Sequence, residues 1–220
     1  MDLVVSLGGK IVADAVDDGD LDAYVDAFND IQDEVDTLVV VTGAGSLKRY
    51  IDAADGFDVP EARKDLIGIQ ATRVHASLLA AALDANAAVP GQVEDVAEMA
   101  AARDTIVLGG VVPGQSTDAV AAQCAEMIDA DRVVLASTVD GVYTDDPEES
   151  GAERYDEIGY DELIDLVREK ETGAGGYALV DLLAAKLIQR SELDAVVLDG
   201  RDPDTLRDAT ASSPPGTRIH

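Results

Sequence analysis

Short runs of apolar, largely β-branched residues recur along the chain, and most of them end in glycine. Asp2–Leu7, Thr37–Thr42, Thr105–Leu108, Arg132–Ala136 and Ala195–Leu198 read as buried strands, the last of these as the final strand. Between them the period changes. Leu21, Tyr24, Val25, Phe28 and Ile31 recur at helical spacing, which predicts an amphipathic helix over Leu21–Glu34. Gly43-Ala44-Gly45 leads into a helix through Tyr50. Leu66–Leu83 is a long helix with apolar residues around much of its circumference. Further helices are expected over Glu94–Arg103, Thr117–Ile128 with Thr117 as N-cap, Tyr160–Glu169 and Leu179–Arg190. Val142–Thr144 and Arg154–Asp156 suit a hairpin around the turn signals Asp146-Pro147 and Ser150-Gly151. Glu148–Gly151 and Thr172–Gly176 are the expected mobile loops. Strand, glycine turn and helix in repetition predict an α/β fold with a largely parallel sheet, and no internal repeat interrupts it.

Charge changes the picture of the surface. The 220 residues carry 45 Asp plus Glu against 16 Lys plus Arg, a net charge of -29. Nucleic-acid binding needs clustered cations to neutralise phosphates, and anionic membranes repel such a surface, so both partners are excluded. Hydrophobic residues make up 47% of the chain, enough for a core and too many for a disordered acidic segment. With no Trp and two Phe, that core is aliphatic. Cys124 is the only cysteine, which leaves no intramolecular disulfide and no thiolate cluster. No apolar run approaches a bilayer span, so the expected location is the cytoplasm. The acid is spread along the chain and alternates with apolar positions. Self-repulsion of this kind is screened by concentrated salt, which points to a salt-adapted cytoplasm more than to specific cation binding.

Candidate chemistry gathers at glycine turns after strands. These are Gly8-Gly9-Lys10, Gly43-Ala44-Gly45, and Gly109-Gly110 running on through Pro113-Gly114-Gln115-Ser116-Thr117-Asp118. In an open parallel sheet, ligands bind beyond the carboxyl ends of the strands. Glycines let phosphates approach the backbone, and free N–H groups at helix starts attract anions. A single turn of this kind often does no more than end a strand. Three at one edge, one followed by a lysine, favour a phosphate site. None matches the P-loop pattern or a Gly-x-Gly-x-x-Gly fingerprint. A second cluster is Ser137-Thr138-Val139-Asp140-Gly141-Val142-Tyr143-Thr144-Asp145-Asp146-Pro147. It reads either as a hairpin with a capped turn or as a frame of hydroxyls, tyrosine and carboxylate around a purine and its ribose.

These segments resemble the amino acid kinase superfamily and, within it, the archaeal uridylate kinases. The likeness is carried by Gly8-Gly9-Lys10, Gly43-x-Gly45 with Arg49, Lys64–Arg73, Pro113–Ala122, Val139–Pro147 and Asp181–Lys186, in one order along nearly the whole chain. It implies a three-layer αβα sandwich in a single domain, with about 1–130 serving UMP binding and oligomerisation and about 131–220 serving ATP. It also implies a homohexamer, as a trimer of dimers, and γ-phosphoryl transfer from MgATP to UMP on the way to CTP. By position, Gly9, Lys10, Gly45, Arg49, Ser137, Thr138, Tyr143 and Asp146 fall to ATP. Ala44, Asp65, Val111, Val112, Pro113, Gly114, Gln115, Ser116 and Thr117 fall to UMP. Lys10, Asp118 and Asp181 form the catalytic set, with Mg2+ held mainly by the ATP phosphates. Two departures stand out: Ala44 replaces a usual glycine, and Ser46 stands where many relatives carry a lysine.

Plainer roles compete at several positions. Asp118 suits a first-turn acid that complements a helix dipole. Lys186 suits a snorkelling surface lysine or a partner of Asp181. Arg73 is a candidate phosphate contact on a helix whose facing the sequence leaves open, and His75 suits the core or an interface. Cys124 suits a small buried hydrophobe. The apolar excess of Leu66–Leu83 suits burial against another subunit. Alternative functions are another small-molecule kinase of the superfamily, with an isopentenyl phosphate or carboxylate acceptor, and a non-catalytic nucleotide-binding or storage protein.

Overall fold

The computed structural model describes residues 1–148, 150–172 and 180–220. β1 (Asp2–Leu7) runs into α1 (Gly9–Asp18), and α2 (Leu21–Gln32) precedes β2 (Thr37–Thr42). A 3-10 turn at Gly45–Lys48 opens α3 (Arg49–Ala54), and α4 (Glu61–Ala82) follows. Next come α5 (Glu94–Ala100), β3 (Thr105–Leu108), α6 (Thr117–Ile128) and β4 (Arg132–Ser137). β5 (Glu157–Ile158), α7 (Tyr160–Thr172), α8 (Leu182–Arg190), β6 (Ala195–Asp199), α9 (Pro203–Arg207) and β7 (Thr217–Ile219) complete the order.

Among the described residues, these strands form one seven-stranded sheet in the order β3-β2-β1-β4-β6-β7-β5. Neighbours are parallel except β6 and β7. Side chains alternate across the sheet, and each face is covered. Val4, Val39, Val41, Ile106, Val133 and Val197 pack toward α6, α7 and α8. Leu3, Val5, Leu38, Val40, Val134 and Val196 pack toward α1, α2 and α4. The result is an αβα sandwich with an aliphatic core on both sides of a mainly parallel sheet. From β1 the chain steps outward through β2 to β3 at one edge, then crosses back from β3 to β4 on the other side of β1. That reversal opens a crevice above β1, the usual place for a ligand in such sheets.

Several boundaries differ from expectation for local reasons. A helix begins at Gly9, where only a turn was expected, with the non-helical Gly8 as its N-cap. Ser116, not Thr117, caps α6: its hydroxyl accepts from the Ala119 N–H at 3.0 Å. α4 starts at Glu61, directly after Pro60. Ala195–Leu198 is not the final strand, since β7 pairs antiparallel to it and β5 lies parallel to β7. The expected hairpin is a single bridge between Tyr143 and Arg154. Glu149 and residues 173–179, including most of the expected loop at Thr172–Gly176 and the start of the helix expected at Leu179, lie outside the described residues. Among the described residues, no helix is long and apolar enough to cross a membrane.

Candidate active site

Two glycine turns interlock at the carboxyl edge of β1 and β2. A Cβ on Gly9 would lie 2.1 Å from the Gly45 nitrogen, and one on Gly45 would lie 1.9 Å from the Gly9 carbonyl oxygen. Gly45 also has φ +53, a conformation that L side chains rarely adopt. The contact is therefore backbone on backbone. His75, buried on α4, fastens the second turn from behind: its Nδ1 donates to the Gly43 carbonyl at 2.8 Å. Gly8 ties the first turn to β4 by donating to the Ala136 carbonyl at 2.9 Å.

Lys10 follows on the first turn of α1. Its exposed ammonium pairs with Asp14 at 2.5 Å, one helical turn on, and not with Asp118. Asp118 stands on the first turn of α6 and accepts from the Ser6 hydroxyl of β1 at 2.6 Å. Burial pushes its carboxyl up to about 6; the Asp181 charge adds to the rise and the Ser6 hydrogen bond opposes it. Asp181 caps α8, accepting from the Leu183 and Ala184 N–H groups at 2.8 and 3.1 Å. Its other oxygen accepts from the Ser116 hydroxyl, so the N-termini of α6 and α8 are joined through their caps. Both ends contribute positive potential to the same edge.

Beside this edge lies a cavity of about 630 Å3. It brings together Ala44, Asp65, Val112, Gly114, Gln115, Ser116 and Thr117, while Val111 and Pro113 do not line it. Asp181 lines it as well. Sequence reasoning gave no ligand role to Lys48, Ile51, Gly68, Ile69 or Thr72, whereas Gly110 belongs to a glycine turn expected at the ligand edge. Part of that set was visible: Asp65, Gly68, Ile69 and Thr72 are spaced to share one face of a helix. Thr72 joins α4 to the turn after β3, its hydroxyl accepting from the Gly110 N–H at 2.7 Å.

The second cluster sits beyond β4. Ser137 ends the strand and its carbonyl accepts from the Gly200 N–H at 2.8 Å. Thr138 follows it, half-buried. The Tyr143 hydroxyl donates to Asp140 at 2.8 Å, which holds the phenol above its ordinary pKa. Asp146 accepts from the Glu148 N–H at 3.0 Å. Arg49 lies over the Tyr50 ring, 5.3 Å from its centroid, on the exposed side of α3.

The structure also resolves the competing minor roles. Arg73 donates to the Val89 and Pro90 carbonyls and braces the segment after α4. His75 is a core residue with a backbone partner. Cys124 is fully buried, and burial pushes its thiol up to about 12. Among the described residues, no group of three or more His, Cys, Asp or Glu converges as a metal cage.

Residues 1–199 match the model of the amino acid kinase family. A uridylate kinase of Natronomonas pharaonis is 40% identical, with 100% of this chain and 98% of that protein covered. One from Haloarcula marismortui is 45% identical over 93% of this chain and 91% of its own length. The crystal structure of uridylate kinase from Archaeoglobus fulgidus superposes with a TM-score of 0.87 at 33% identity, each chain covered fully.

Proposed function

The chain belongs to the amino acid kinase family, and we propose that it transfers the γ-phosphoryl group of ATP to UMP, giving ADP and UDP. The observation that carries this function is the junction of two features. A cavity of nucleoside monophosphate size opens directly beside the interlocked glycine turns, and the whole chain matches a named uridylate kinase at 40% identity. ATP phosphates lie on the turns at Gly9 and Gly45, with the adenosine toward Ser137, Thr138, Tyr143 and Asp146. UMP fills the cavity, where Asp65 is suited to accept from ribose hydroxyls and the Gly114–Thr117 segment closes over the nucleotide.

Phosphoryl transfer asks little covalent chemistry of the protein. The acceptor phosphate is already ionised, so no general base is required. Alignment and neutralisation of charge on the transferring oxygens supply the rate. Lys10 leaves Asp14 for the phosphates, and backbone N–H groups at the start of α1 face the same charge. Asp118 and Asp181 are the carboxylates that would face Mg2+ bound on the nucleotide, which would neutralise part of that charge. Exposed Leu66, Val74 and Leu78 on α4 support association through this helix, consistent with a hexamer of paired subunits. Identity with uridylate kinases of haloarchaea and the net charge of -29 support a salt-adapted cytoplasmic enzyme.

ADP formation from MgATP in molar KCl tests the function, with UMP, CMP, AMP and isopentenyl phosphate as acceptors and Lys10→Ala as control. UMP-dependent turnover that is lost in the control is expected. Turnover with a different acceptor alone would discard UMP, and silence with all would favour a binding protein.

A further inference from the structure

We propose that Lys48 grips the phosphate of the acceptor nucleotide and sets the preference for a phosphorylated over an unphosphorylated nucleoside. This rests on the function proposed above and extends it to a residue that sequence comparison of motifs did not single out. Lys48 ends the 3-10 turn that begins at Gly45, and among the described residues it is the one basic side chain lining the acceptor cavity. Its neighbours are committed elsewhere. Arg49 lies over Tyr50, and Lys10 pairs with Asp14.

The charge environment makes a cation here informative. Lys64 meets Asp55 and Glu61, and Lys170 meets Asp145, while among the described residues Lys48 and the exposed Lys186 of α8 have no ion pair, and of these two only Lys48 lines the cavity. Lys48 has no carboxylate within ion-pair distance among the described residues, although the same cavity is lined by Asp65 and Asp181. A doubly charged phosphate entering a cavity lined by two carboxylates, in a protein of net charge -29, meets like charge. One exposed ammonium at the cavity wall, without an ion-pair partner among the described residues, offsets that repulsion at contact range, inside the screening length. Its position on the turn shared with Gly45 places it at the border between the acceptor cavity and the glycine turns. That border is where the acceptor phosphate must lie to meet the transferring group.

The test compares UMP and uridine binding by calorimetry in molar KCl, for the wild type, Lys48→Ala and Lys48→Arg, with KM and kcat for UMP measured alongside. Charge-assisted contacts predict that Lys48→Ala weakens UMP by about 10-fold or more, leaves uridine unchanged and raises KM for UMP. Lys48→Arg is expected to restore most of the lost affinity. Unchanged UMP affinity in Lys48→Ala overturns the inference, as does an equal loss for UMP and uridine, which marks a merely structural role. A wild type that neither prefers UMP to uridine nor turns UMP over overturns the functional proposal itself, and the inference with it.

Discussion

Replacing Asp118 with asparagine is expected to stabilise the protein at neutral pH and not at acid pH. Asp118→Asn keeps the shape of the side chain and an oxygen to accept from Ser6, while removing the charge. In the folded protein the carboxyl is raised from 3.8 to about 6, chiefly by burial and further by Asp181. At about 1.4 kcal/mol for each pH unit, this is roughly 3 kcal/mol. The sign follows from which state holds the proton. Below 3.8 both states are protonated and the two proteins are equally stable. Between 3.8 and about 6 the unfolded chain releases the proton while the folded one keeps it, so the wild type loses stability as pH rises. Above about 6 the full difference is present. Chemical denaturation with EDTA, in constant molar KCl, at steps from about pH 4.5 to 7.5 reads it directly. A stability difference that is flat across that range, or that favours the wild type at neutral pH, refutes the account of Asp118 as a desolvated carboxylate.

Other expectations follow from the same structure. Gly45→Ala combines a left-handed backbone with a Cβ 1.9 Å from the Gly9 carbonyl oxygen. It should cost at least about 3 kcal/mol in thermal unfolding, while Gly91→Ala, with open space around it, stays within about 0.5 kcal/mol. Raising KCl from tenths molar to molar should raise Tm, because the screening length falls from about 10 to about 3 Å; a flat profile would remove the salt-adapted proposal. Val74→Asp on the exposed side of α4 should lower the particle mass seen by light scattering in molar KCl, and a monomeric wild type would refute association through that face.

The sheet was legible because its strands are buried on both faces. Thr37–Thr42 and Thr105–Leu108 are continuous β-branched and aliphatic runs that end in glycine, and they form strands with those bounds. α1 was not legible, because Gly9 has poor helix propensity and reads as a turn. Only the approach of Gly45, remote in sequence, explains a glycine there. β5 and β7 span two and three residues, too short for any alternation to show. The glycine turns and the Pro113–Asp118 segment announced a ligand edge by composition. Lys48 did not, since a lone lysine on an exposed turn carries no periodic or motif signal. Its meaning comes from the cavity that three separate segments close around it.

The interlocked turns also sort positions by their freedom to change. At Gly9, Gly43 and Gly45 the two main chains leave no room for a methyl group, so the floor of the site admits one residue type and is inherited whole or not at all. Ala44, Ser46 and Lys48 share that stretch of chain without sharing its confinement. A positive charge can therefore migrate along the 3-10 turn from one sequence to another while the backbone beneath it stays still. If Lys48 holds the acceptor phosphate as proposed, that grip can be retuned by moving a lysine along the turn, a step that needs no change in the fold.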